Sequence, residues 1–177
     1  MTSPLDTVVF GIARVPHDRI DVTAGSEVVC IFVNGRELAE AVEQGSRAHR
    51  SGRDAASLFG PPPAAWVLPP SRHWLGEPDP GLAKDGWSVL YTCSCGDWEC
   101  GALLTRIEAD ERVVTWSGFL TPYELDLLAE DPGTAPEALG GARRELGPFR
   151  FDREAYETAL RAPALVPWPY DRDGAAG

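Results

Sequence analysis

The stretch WSVLYTCSCGDWECGALLTRIEADERVVTWSGF, residues 87–119, decides the fold. Trp87–Thr92, Ala102–Glu108 and Arg112–Phe119 are runs of Val, Leu, Ile, Thr and aromatic residues, the composition of strands. Ala109, Asp110 and Glu111 make a tight turn between the second and third. The first connection is CSCGDWECG, residues 93–101, which holds three of the four cysteines. Consecutive strands with short connections predict a β-meander.

Outward from the meander, the N-terminal half carries two more strands. In Thr7–Val15, Val8, Phe10 and Ile12 alternate with smaller residues, and Ser26–Val33 is a buried central strand. Cys30, in the middle of that run, reads as a small core residue. Asn34 can cap a helix with Glu37 at capping-box spacing; Leu38, Ala41 and Val42 face inward and Gly45 ends it. Glu37, Glu40 and Glu43 form its solvated side. Residues 46–85 are rich in Pro and Gly. They predict a long wrapping loop anchored by Trp66, Val67, Leu68, Trp74 and Leu75.

On the C-terminal side, Thr121, Pro122 and Glu124 start a helix that Asp131-Pro132 stops. Residues 136–146 leave room for a short helix. GPFRF is a short edge strand, since Pro148 cannot donate to a ladder. Asp152 caps a last helix, Arg153–Arg161, with Tyr156, Ala159 and Leu160 inward. Residues 163–177 form an extended tail. The expectation is a single α+β domain over residues 1–177. A mostly antiparallel sheet carries the N-terminal strands and the 87–119 meander, with two or three helices packed on one face.

A chain of 177 residues can bury a core without staples. No run approaches the roughly 18 apolar residues of a membrane span. MTSPLDTVVFGIARVP lacks a charged region followed by an apolar one, which predicts a cytoplasmic protein with reduced cysteines. The net charge of −11 repels phosphate backbones and anionic lipid, excluding general nucleic-acid and membrane binding. It keeps the protein soluble, and it would suit a partner with a basic surface.

The cysteine stretch has three readings. In the first, Cys93 and Cys95 are small packed residues on a strand and Cys100 fills a turn. In the second, the turn binds zinc. Cys93 and Cys95 project to one face of a strand, and the chain turns at Gly96 so that Cys100 returns to that face. The fourth ligand would be His73, the candidate on the wrapping loop, or else His49, His17, Asp97, Cys30 or a water. With a water the site would be open and able to act as an enzyme's. In the third, one of the thiols is a nucleophile, against which Asp97 and Glu99 weigh by raising thiol pKa. No Cys-x-x-Cys, Gly-x-Ser-x-Gly, phosphate loop or dinucleotide fingerprint is present. The functions that follow are a small binding or accessory protein with a cysteine-rich turn, an enzyme using a metal-bound water or a thiol there, or an acidic inhibitor or immunity protein.

Five motifs in order complete the reading. Val33 to Glu43 is a strand end, VNG, running into an acidic helix. His73, Leu75, Gly76 and Pro78 form His-x-Leu-Gly-x-Pro. Cys-x-Cys-Gly and a later Cys precede a Leu-rich strand ending at Arg106 and Ile107. Val114, Trp116, Ser117 and Phe119 form Val-x-Trp-Ser-x-Phe. Gly147 to Leu160 reads Gly-Pro-Phe-x-Phe-Asp-Arg-x-x-Tyr-x-x-Ala-Leu. This order resembles a family of mostly actinobacterial proteins to which no activity is attached. The resemblance, covering Ser26 to Arg161, implies that the cysteine stretch, the His73 segment and the Phe-Asp-x-x-x-Tyr end form one unit. The chain departs from the pattern at Trp98-Glu99 before Cys100 and Gly-Ala after it. There Trp98 is expected to cover the sulfurs.

Overall fold

Alternating apolar residues build paired strands in both halves of the chain. The computed structural model describes residues 4–16, 25–47, 59–93, 98–99, 101–131, 133, 143 and 145–169, of which 43–47 by backbone alone. The strands are β1 (Val8–Arg14), β2 (Glu27–Val33), β3 (Arg36–Glu37), β4 (Phe59–Gly60), β5 (Ala83–Lys84), β6 (Trp87–Cys93), β7 (Leu103–Ala109), β8 (Val113–Leu120), β9 (Phe149–Asp152) and β10 (Ala164–Leu165). The helices are α1 (Leu38–Arg47), α2 (Ala64–Val67), α3 (Pro122–Glu130) and α4 (Arg153–Arg161), with 3₁₀ turns at His73–Leu75 and Pro80–Leu82.

The fold is α+β and mostly antiparallel, as expected, and the meander is β6–β7–β8. The strands are divided between two sheets rather than joined in one. The first has the order β10-β1-β2-β3; the second has β4-β6-β7-β8-β9, with β5 also on β6. The single parallel pair among the described strands is β1 with β10, inside the predicted tail. One face of each sheet feeds a shared core. Phe10, Val29 and Ile31 come from the first, and Leu90, Leu103, Val114, Trp116 and Phe151 from the second. Leu38 and Val42 of α1 and Tyr156 and Leu160 of α4 close it.

The helices do not all share a face. Leu125 and Leu128 of α3 cover the other side of the second sheet, over Trp87, Val89, Leu104 and Leu120. The far side of the first sheet is apolar too. Ala13, Val15, Val28 and Cys30 pack there under Val166 and Trp168 of the tail. Gly11 is required at this contact, because a Cβ there would lie 2.8 Å from the Val166 side chain.

The predicted helix start at Asn34 is a hairpin turn instead. Asn34 and Gly35 take φ of +52° and +77°, the two-residue turn that Asn-Gly favours between antiparallel strands. Arg36 and Glu37 therefore pair with β2, and α1 begins at Leu38. Glu37, expected on a solvated helix face, is buried on β3. The helix also passes through Gly45 and continues to Arg47. Asn34 caps a different backbone. Thr7 N donates to its Oδ1 at 2.9 Å, and its Nδ2 donates to Asp6 Oδ1 at 2.8 Å. The other Asp6 oxygen accepts from Arg150 N at 2.8 Å, while Asp6 N donates to Arg150 O at 2.7 Å. Asp6 thus ties the β2–β3 turn of one sheet to β9 of the other.

Near the C-terminus the capping residues act as read. Thr121 and Glu124 form a reciprocal capping box, and Asp152 accepts from Ala155 N. Residues 134–142, which include most of the possible short helix, lie outside the described set.

Candidate functional site

The cysteine turn springs from the end of a hairpin. Tyr91 of β6 pairs with Leu103 of β7 after a register shift that begins at Val89. Cys93 ends β6, half-buried, and also pairs with Phe59 of β4. Gly101 sits across from it, so that a Cβ there would lie 3.9 Å from the Cys93 Cβ. The loop therefore leaves and returns at one place. Cys95 and Cys100 fall outside the described residues, as do His17, His49 and Asp97.

His73, the candidate fourth ligand, is fully buried in the first 3₁₀ turn. Its Nε2 lies 3.1 Å from Val89 O, and Asp79 N donates to its Nδ1 at 3.1 Å. A carbonyl only accepts and a backbone amide only donates, so this network assigns the proton to Nε2. Both nitrogens are committed to backbone groups, and no lone pair is left for a metal in this conformation. Burial pushes the His73 pKa below its ordinary value, and the Val89 hydrogen bond and Asp79 oppose that only in part. His73 is a neutral structural residue. It pins the loop to β6 together with Trp74, whose Nε1 donates to the same Val89 carbonyl at 2.9 Å.

Cys30 is not a ligand candidate either. It is buried on β2 under the tail, and burial, followed by Glu37, pushes its thiol up to about 12. Among the described residues, no group of three His, Cys, Asp or Glu side chains comes together to hold a metal.

The structure does bring the His73 segment and the cysteine turn together, at a groove of about 700 Å³. Trp66, Arg72, Glu77 and Asp79 line one wall, and Trp98 of the turn lines the other. Trp66 was expected to anchor the loop on the core, yet it is 39% exposed and opens to this groove. Trp98 is half-buried, packed against the cluster of Val89, Ala102 and Leu104. Arg72 and Glu77 pair at 2.6 Å. The hydrogen bond from Arg72 holds the Glu77 carboxyl below its usual range. Asp79 is engaged as well, accepting from Gly81 N at 2.8 Å. Sequence reading missed the groove because Pro and Gly mark only that the segment turns, not what its side chains face.

The Phe-Asp-x-x-x-Tyr end reaches the same segment from inside. Tyr156 Oη donates to Trp74 O at 2.9 Å. Around that contact, Phe10 stacks on Trp74 at 5.3 Å and Trp116 meets Phe151 edge-on at 5.2 Å. Trp116 Nε1 lies near Tyr156 Oη but outside hydrogen-bond geometry.

No family model matches this chain, and no curated protein or solved structure matches it at a significant level. No helix among the described residues is long and apolar enough to cross a membrane.

Proposed function

We propose that this is a small binding or accessory protein whose recognition site is the groove between residues 66–82 and the cysteine turn. The carrying observation is that Trp98, from the turn, lines the same groove as Trp66 and the Arg72–Glu77 pair. Its titratable groups Arg72, His73, Glu77 and Asp79 are already engaged with one another or with backbone, which favours binding over proton transfer. Two indole rings at a groove supply contact area with little entropy cost.

In this reading the turn is held by zinc through Cys93, Cys95 and Cys100. The support is connectivity: Cys95 is two residues from Cys93, and Cys100 is bonded to Gly101, which faces Cys93. Zinc would supply a fixed hub for the three thiolates. The fourth ligand is a group other than His73 and Cys30. Reduced thiols suit a cytoplasmic protein. The resemblance to the actinobacterial family agrees with this grouping of segments and adds no activity to it. A water as fourth ligand would turn the same site into an enzyme's. A second reading, an acidic inhibitor of a basic partner, is favoured by the net charge of −11.

Elemental analysis of untagged protein tests the metal, with about one zinc per chain expected. Chelation should then shift the tryptophan emission, and the shift should disappear in Trp98→Phe. Zinc well below one per chain removes the metal from the proposal. An emission unchanged by chelation uncouples the turn from the groove.

A further inference from the structure

Outside the groove lies the Asn34-Gly35 turn, which contains the only asparagine of the chain. Asn-Gly is the pair most open to deamidation, because glycine lets the following backbone nitrogen approach the side-chain amide. Both residues are exposed. Three features of the fold oppose the reaction. Asn34 and Gly35 are held at φ of +52° and +77° by the hairpin. The Asn34 carbonyl oxygen is engaged by Thr7 N at 2.9 Å, and its NH₂ group by Asp6 at 2.8 Å. The carboxamide is thereby turned toward residues 6 and 7 rather than toward Gly35 N.

We propose that Asn34 is a deamidation site that the Asp6 clasp keeps closed, so that its modification records opening of the seam between the two sheets. When the turn opens, Gly35 N attacks Asn34 Cγ, a C–N bond forms, and the side-chain nitrogen leaves as ammonia. Water then opens the cyclic imide to aspartate or isoaspartate. No oxidant, reductant or cofactor is needed. The step is one-way in its structural effect. The product has lost the donor to Asp6 and sets a second carboxylate against it, and like charges at that distance repel. Isoaspartate also lengthens the backbone, which a two-residue turn in fixed register cannot absorb.

The test follows ammonia loss by peptide mass mapping of the full chain in mildly alkaline buffer, natively and across a urea series. The native chain should react about tenfold or more slowly than the unfolded chain, the rate tracking the open fraction. Equal rates in native buffer and in urea overturn the proposal. Asp6→Ala should speed the native reaction, and an unchanged rate in a folded Asp6→Ala chain also overturns it. Independently of rates, Asn34→Asp should melt below the parent, and Asp6→Asn in that background should restore part of the loss. An Asn34→Asp chain as stable as the parent overturns the proposed consequence.

Discussion

The stretch from Ala64 to Leu82 serves two regions of opposite character. Inward, His73 and Trp74 are fully buried, His73 held between Val89 O and Asp79 N and Trp74 among Phe10, Trp116 and Tyr156. Outward, Trp66, Arg72 and Glu77 stay exposed along the groove. One short segment is thus both a lid on the core and a wall of the candidate site. Regular backbone pairing contributes little to holding it. Side chains do that work, through the two donors to Val89 O and the Tyr156 hydroxyl on Trp74 O. A wall fixed in this way is preorganised, so ligand binding would not have to order it.

Substitutions can break or sharpen this contrast. The largest effect should come from Trp116→Ala, in the hub of the inner region. Removing a buried indole costs about 3–5 kcal/mol, read from urea denaturation midpoints. His73→Ala should cost about 2–4 kcal/mol, since it leaves a cavity and strands the Asp79 N–H. It should also loosen the groove wall, visible as faster hydrogen exchange at residues 73–82. Tyr156→Phe removes one buried hydrogen bond from Trp74 O and should cost about 1–2 kcal/mol without a cavity.

A smaller effect is set by pH. The folded His73 pKa lies below its unfolded value of about 6.5. Its neutral form therefore contributes fully above that value, and the contribution is lost as pH falls through the folded pKa. The melting temperature of the parent should drop more steeply on acidification below about pH 6.5 than that of His73→Asn, which has no such titration. Equal slopes would show that His73 does not remain neutral in the fold. The smallest change in stability is expected for Trp66→Ala, within about 0.5 kcal/mol, as for a surface position. A large loss there would show that the outer side also carries the fold.

Local chemistry was readable wherever one residue type has one use. Asp152 caps α4 and Thr121 with Glu124 caps α3, because the capping geometry involves only near neighbours. Asn34 was misread because Asn serves equally as a helix cap and as the left-handed residue of a hairpin turn. Glu37 three positions later satisfied the capping-box spacing by coincidence. The division into two sheets was not legible, since β10 finds its partner β1 across most of the chain and no local pattern marks which strands share a sheet. For the site, the sequence put Cys93 in the connection directly after a meander strand, and β6 extends one residue further to include it. It could not show that His73 is consumed by Val89 and Asp79, because those partners are set by how the loop lies against β6. Cys95 and Cys100 lie outside the described residues, and the zinc proposal rests on experiment.

The pairing of β10 with β1 has a consequence for synthesis. Gly11 and Ile12 wait for Ala164 and Leu165, which follow them far along the chain. Val166 must then settle over Gly11, and Arg150 must meet Asp6. The first sheet therefore cannot close until that later segment has emerged, and its apolar outer face stays uncovered until then. Such late, distant contacts slow folding and prolong exposure to aggregation. During translation the vulnerable surface is accordingly the N-terminal β1–β2 hairpin, where a chaperone would have most to do.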